Sequence, residues 1–283
     1  LRARFDEEAN IGLANRLQEA GAHVVYGVVG HKTHAKMMLI VRREGGQLRP
    51  YVHLATGNYH SRTARLYTDY GLLSADAVLG EDVHRVFLQL TSLGKVSSLN
   101  DLLESPFTLH QGMLEKIARE QAHAEAGRSG RIIVKINSLV EPRIIRALYR
   151  ASMAGVQIDL IVRGMCSLRP GLKGVSENIR VRSIIGRFLE HTRVFYFANA
   201  GEPELYLSSA DWMERNFFRR VETCFPIKDP ILRQRVEDDL ASYLADNTQA
   251  WVMDDQGVYH RLAPPENTES MSAQSSLLTA YAQ

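Results

Sequence analysis

Two stretches carry the reading of the whole chain: His31-Lys32-Thr33-His34-Ala35-Lys36-Met37-Met38-Leu39-Ile40-Val41 and Arg187-Phe188-Leu189-Glu190-His191-Thr192-Arg193-Val194-Phe195-Tyr196-Phe197. Each sets a histidine and a cation two residues apart at the head of an apolar run. Side chains alternate along a strand with period two, so the members of each pair share one face. The polar residues downstream of each pair repeat as well. Asn58 lies 24 residues after His34 and Asp211 lies 20 after His191, with Arg62 and Arg215 each four further on. Bringing the two strands together would put two imidazoles and a ring of fixed positive charge into one pocket.

Outward from these stretches the chain reads as two similar halves. In the first, a helical segment of about residues 6–19 ends at Gly21, where glycine can close a helix. The β-branched run His23–Val29 reads as a buried strand stopped by Gly30. Met37–Val41 and Pro50–Leu54 read as further strands, joined through Glu44-Gly45-Gly46. In the second half, Arg131–Ile136 is a strand and Glu141-Pro142-Arg143 opens a helix with proline in its first turn. That helix closes at Gly155, and the strand Ile158–Val162 stops at Gly164. More strands are expected at 179–185, 194–198 and 204–207. Helices alternating with short apolar strands define an α/β fold. The join falls near Ser97–Pro106, giving a first domain of residues 1–101 and a second of 102–283. Asp229-Pro230 starts an amphipathic helix running to about Ala245, and the Ser/Thr/Gln-rich tail from Glu266 is expected to fray.

Composition sets broad limits. The 283 residues suffice for a large core, and 45% hydrophobic with 23% charged residues is ordinary for a globular protein. A net charge of +2 supplies no global basic field for nucleic acid. Cys166 and Cys224 are too few for a disulfide framework, in keeping with a reducing cytoplasm. No apolar stretch approaches the roughly 20 residues that span a bilayer. The opening Leu1–Asp6 reads as the interior of something longer.

The paired pattern points to phosphoryl chemistry. Neutral imidazole attacks phosphorus near pH 7, and the rest of such a reaction is positioning and charge neutralisation. Lys36 and Arg193 supply charge beside the two histidines. Asn58 is placed to hold an imidazole or a phosphate oxygen, and Arg62 and Arg215 to clamp phosphates bidentately. The plainer alternatives are a strand-edge lysine for Lys36 and solvated helix cations for Arg62 and Arg215. His31, His53 and His60 have no repeated counterpart and read as surface or supporting groups. No spacing of His and Cys suits a structural metal.

The doubled H-x-K pattern resembles the phospholipase D superfamily, in which two such histidines meet in one cleft. That family places an aspartate seven residues after the histidine, where this chain has Val41 and Ala198. A fuller resemblance rests on His31–Lys36, Ala55–His60, Ala64–Asp69, Val162–Ser167 and Arg187–His191, which in this order look like the phosphohistidine-forming bacterial polyphosphate kinases. It implies two tandem phospholipase-D-like α/β domains, each a mixed sheet flanked by helices, and reversible transfer of the ATP γ-phosphate to inorganic polyphosphate. By position it implies that His34 becomes phosphorylated and that His191 assists. Tyr67 and Arg163 match nucleotide contacts, and Arg4 matches a position associated with magnesium, which an arginine serves through phosphate because it lacks an acceptor. Mg2+ is the implied cofactor; ATP, ADP and polyphosphate are the implied partners, without nucleic acid. The resemblance further implies a homo-oligomer in the full-length protein and a cytoplasmic location, extending to peripheral association with the inner face of the membrane. The rival readings are a phospholipase-D-type phosphodiesterase and a polyphosphate-binding fragment inactive alone.

Overall fold

The computed structural model describes residues 7–92 and 98–282. The first half runs α1 (Glu7–Glu19), β1 (Lys32–Thr33), β2 (Lys36–Glu44), β3 (Gln47–Ala55), α2 (Thr63–Leu66), β4 (Tyr67–Thr68), β5 (Gly71–Ser74) and α3 (Ala77–Ser92). The second runs β6 (Leu103–Ser105), α4 (Leu109–Glu125), β7 (Arg131–Ile136), α5 (Pro142–Met153), β8 (Gln157–Val162), β9 (Ile179–Ile184), β10 (Leu189–Glu190), β11 (Val194–Phe197), β12 (Glu204–Ser208), α6 (Glu214–Phe218), β13 (Arg220–Pro226), α7 (Pro230–Ala245), β14 (Ala250–Met253), β15 (Tyr259–Arg261) and α8 (Ala273–Tyr281).

Local chemistry explains the main elements. Gly45 and Gly46 take φ of +58° and +82°, as a two-residue hairpin between β2 and β3 requires. The Glu141 carboxylate accepts the Ile144 N–H and Pro142 occupies the first turn of α5, while Asp229 caps α7 through the N–H groups of Ile231 and Leu232. Helix α5 turns Ile144, Leu148 and Ala151 inward together with Ile145, an apolar stripe at helical spacing.

A ten-stranded mixed sheet dominates, in the order β1-β13-β12-β11-β7-β8-β9-β14-β15, with β6 also on β13. Strands β7, β8 and β9 are parallel, and most of their residues are buried, on both faces. One face packs Ile132, Val134, Ile158, Phe195 and Phe197 against α4 and α5. The other packs Ile161, Val194, Leu207 and Phe225 against α7 and against Val52, Leu54, Leu79 and Val83 of the first half. This second core is common to both halves.

The halves also interlock through backbone. Strand β1 pairs in parallel with β13 and β4 pairs in parallel with β10. Each short strand that delivers a histidine therefore leans on the opposite half.

Several expectations are corrected. The run His23–Val29 forms no strand; the described residues show only a Val28–His31 bridge. Its second-half counterpart β8 lies between β7 and β9, whereas here no described strand flanks the segment, and β-propensity needs a ladder to act through. The described first half accordingly shows a three-stranded antiparallel sheet, β2-β3-β5, and lends β1 to the large mixed sheet. The join is not plain linker: over residues 98–106 it contains β6, and the buried Asp82 carboxylate accepts the N–H groups of Asn100, Asp101 and Leu102. The tail does not fray over residues 273–281. Ser272 caps α8, and Ala273 and Gln274 are buried.

Candidate active site: two histidines held across the join

His34 leaves β1 with its N–H on the Val221 carbonyl at 2.9 Å. Its Nδ1–H donates to Glu222 Oε2 at 2.8 Å. Glu222 lies on β13 in the other half and is fully buried. Its carboxylate also accepts Ser209 Oγ at 2.5 Å and Asn216 Nδ2 at 2.7 Å. A carboxylate so placed fixes the tautomer and leaves Nε2 with its lone pair.

His191 repeats the arrangement in mirror. Its Nδ1–H donates to Asp69 Oδ1 at 2.7 Å, and Asp69 follows β4 of the first half. Each imidazole is thus oriented by an acid from the opposite half. Gly57 makes room for this: a Cβ there would lie 2.0 Å from the Asp69 carboxyl carbon. Burial lowers the pKa of both histidines; hydrogen bonds to Glu222 and Asp69 oppose the shift, while the Lys36 charge reinforces it at both rings. The shift favours the neutral form of each ring.

The two cations differ. Lys36 is 7% exposed and its Nζ has no hydrogen-bond partner. Burial brings its pKa down to about 7, with Arg193 and Arg220 adding to the shift and Glu222 resisting it. Arg193, by contrast, is tied down by several partners. It pairs with Asp211 through Nε and Nη2, both at 3.2 Å, and its Nη1 donates to the carbonyls of His191 and Thr56. That Nη1 lies 3.2 Å from His191 Nε2 and 3.4 Å from Nδ1, against the ring rather than on one lone pair. Burial alone would raise the Asp211 pKa, but Arg193 and the Asn137 N–H hold it low.

Arg163, at the end of β8, donates Nε to Asn137 Oδ1 at 3.0 Å, and partial burial lowers its pKa. The Tyr67 ring lies 5.0 Å from that of His191, and borders a cavity of about 290 Å3 with Tyr70, Phe188 and Tyr281. The structure therefore gathers His34, Lys36, His191, Arg193, Tyr67 and Arg163. It leaves Asn58, Arg62 and Arg215 exposed, with no hydrogen bond to either imidazole, and Arg4 lies outside the described residues. Glu190 forms its ion pair with Lys135.

Sequence reasoning missed Asp69 and Glu222. The positions seven residues after each histidine supply no acid; Val41 is an exposed position on β2 and Ala198 follows β11. A usable signal existed, because Asp69 and Glu222 each stand 11 residues after Asn58 and Asp211. Among the described residues no three His, Cys, Asp or Glu side chains group to hold a metal. The site carboxylates are already engaged by His34, His191 and Arg193, so the residues present do not fit a protein-held magnesium ion.

Two interlocked α/β lobes, each contributing one carboxylate-oriented histidine, define the class: a two-lobed, two-histidine α/β protein. The chain belongs to the polyphosphate kinase family: residues 1–96 match the family model for "Polyphosphate kinase C-terminal domain 1" and residues 102–274 that for "Polyphosphate kinase C-terminal domain 2". It is 63% identical over 279 residues to polyphosphate kinase of Xylella fastidiosa, covering 98% of this chain and 40% of that protein. With the Pseudomonas aeruginosa polyphosphate kinase the identity is 61% over 282 residues, covering 100% of this chain and 41% of that one. The chain thus spans about two fifths of the length of these relatives. Among solved structures, Porphyromonas gingivalis polyphosphate kinase matches with a TM-score of 0.91 at 36% identity, covering 100% of this chain and 43% of the other. A phosphatidylserine synthase from Haemophilus influenzae shares the fold alone, at a TM-score of 0.50 and 10% identity over 83% of this chain and 68% of its own.

Proposed function

We propose that this chain is the catalytic region of a polyphosphate kinase, with residues 1–101 and 102–283 as two lobes that contribute one histidine each. His34 Nε2 attacks the γ-phosphorus of ATP; the bond to the β,γ-bridging oxygen breaks and ADP departs. The phosphohistidine then yields its phosphoryl group to a terminal oxygen of polyphosphate, and the energetic P–N bond keeps the cycle reversible. The Glu222–His34 contact carries this reading, because a buried carboxylate on Nδ1 stabilises positive charge in the ring as Nε2 bonds to phosphorus. His34 rather than His191 is the nucleophile. Its side chain is 19% exposed against 10%, and the cation beside it is unpaired whereas Arg193 is locked to Asp211.

Lys36 supplies charge to the transferring phosphoryl group, and His191 donates or accepts a proton at Nε2. Arg163 and Tyr67 hold the nucleotide, Arg163 by its free Nη groups and Tyr67 by its ring. Asn58, Arg62, Arg193 and Arg215 serve the longer polyanion or the walls around it, and Arg4 a phosphate near the metal. Magnesium enters with the nucleotide phosphates, and no step here passes through it. ATP, ADP and polyphosphate are the partners, and self-association belongs to the full-length protein. No described helix is long and apolar enough to cross a membrane; the proposed location is the cytoplasm, with peripheral contact at the membrane's inner face.

The test is γ-labelled ATP added to the full-length protein. Acid-labile, base-stable label should appear on His34 and vanish in His34→Gln. Label on His191 instead, or chain growth that survives His34→Gln, refutes the assignment. Phosphodiester cleavage without ATP dependence would favour the phosphodiesterase reading.

A further inference from the structure

The two dyads are not equivalent. Where His34 rests its N–H on a backbone carbonyl, that of Val221, His191 rests its N–H on a side chain: Thr68 Oγ1, at 3.1 Å. The Thr68 hydroxyl is then obliged to donate elsewhere, and it donates to Glu190 Oε2 at 2.9 Å. The same oxygen takes the Lys135 ammonium at 2.7 Å, in an ion pair 2% and 3% exposed. Lys135 also donates to Thr192 Oγ1, and its Nζ lies 4.6 Å from the centre of the Tyr243 ring. The other carboxylate oxygen, Oε1, accepts Gln274 Nε2 at 2.6 Å. The Gln274 amide further clasps the Phe188 backbone at both N–H and C=O, each at 2.9 Å.

We propose that Thr68 is a positioning residue for the His191–Asp69 dyad, held by a buried relay of Lys135, Glu190 and Gln274 that ties the site to α8. The inference rests on the reading that His191 works in the transfer. Its physical ground is the smallness of the seam it braces. Strands β4 and β10 share only two residue pairs, Tyr67 with Leu189 and Thr68 with Glu190, and two such pairs hold little alone. Asp69 is the next residue on one side of that seam and His191 the next on the other. A tilt about the seam changes the Asp69–His191 contact directly. The equivalent seam between β1 and β13 carries Thr33 and Val221 where this one has Glu190 and Thr68, and so has no counterpart of the Lys135–Glu190 pair. The buried pair is costly to dehydrate, and removing either partner would strand the other charge, so its members hold each other in place. Its members are fully engaged, which makes the seam rigid rather than merely closed.

The experiment compares Thr68→Val, which keeps the shape and loses the hydroxyl, with Thr68→Ser, which keeps the hydroxyl, both in the full-length protein. Thr68→Val should lower kcat for ATP-dependent chain growth roughly 10- to 100-fold, the scale of an ångström-sized misplacement, with KM for ATP within about twofold. The downfield Nδ1 proton resonance of His191 should disappear with it. Thr68→Ser should restore both signals. Gln274→Met, read the same way, serves if the valine variant does not fold, and should show the same split between kcat and KM. Wild-type kcat in Thr68→Val, or equal losses in the Val and Ser variants, overturns the inference. His34→Gln, run alongside, separates the two levels: if it is inactive while Thr68→Val is normal, only the positioning role falls. If His34→Gln stays active, the reading beneath it falls first.

Discussion

At the residue scale, Glu222 and Lys36 make the sharpest demands on the site. Glu222→Gln keeps the shape but offers an amide where His34 Nδ1–H needs an acceptor of full charge. Formation of the labelled phosphoenzyme should fall by about 10^2- to 10^4-fold, as when the acid behind a catalytic histidine is neutralised, measured by rapid quench with γ-labelled ATP. Lys36 carries a pH signature. Its folded pKa of about 7 lies below the usual 10.5, so between these values the unfolded chain binds more protons than the folded one. Its contribution to stability therefore rises with pH across that window and is least favourable below pH 7. Lys36→Met should flatten that rise in urea midpoints taken from pH 7 to 10, while losing transfer activity. ATP brings negative charge to this amine and favours its protonation. Binding near pH 8 should take up a proton, seen by calorimetry in buffers of different ionisation enthalpy and absent in Lys36→Met.

Among the elements, α8 changes most between the expected and the observed chain. Its Ser/Thr/Gln-rich sequence has little core to bury, and a composition argument leaves it loose. The Gln274 amide overrides that by making three hydrogen bonds to Phe188 and Glu190 inside the protein. Gln274→Ala strands those groups and should cost about 1–3 kcal/mol in denaturant unfolding. The loop before β4 makes a steric demand instead. Gly57→Ala would drive a methyl group into the Asp69 carboxylate, so the variant should keep its fold and lose the His191 orientation, read as a drop in kcat. The segment His23–Val29 shows the opposite limit: a run of β-branched residues stays irregular where no described strand stands beside it.

Across the whole molecule, the core that joins the halves decides how the protein unfolds. Leu79 on α3 packs in one cluster with Ile161, Val194 and Phe225 of the large sheet. Leu79→Ala should cost about 2–5 kcal/mol. Both tryptophans, Trp212 and Trp251, lie in the second half, so their fluorescence midpoint should move with the far-UV signal. A fluorescence transition left in place would show that the halves unfold independently.

Much of the site was legible in the chain alone. The repeat of His34-x-Lys36 and His191-x-Arg193 rests on strand alternation, a property of the local chain, and it singled out both imidazoles. The glycines ending α1 and α5, the Pro142 and Pro230 helix starts and the β2–β3 hairpin are local in the same sense. The partners of the histidines were not legible, because Asp69 lies 122 residues from His191 and Glu222 lies 188 from His34. Neither carboxylate has local meaning; each becomes an orienting acid only when a short parallel seam carries it across to the other half. Sequence by itself determined which side chains are equipped for phosphoryl chemistry, since bonding character belongs to the side chain. Only tertiary structure decided what each group faces: Lys36 left without a partner, Arg193 bound to Asp211, and one dyad braced by Thr68 while its twin leans on backbone. Those choices depend on burial and on contacts between distant segments, which no local pattern encodes.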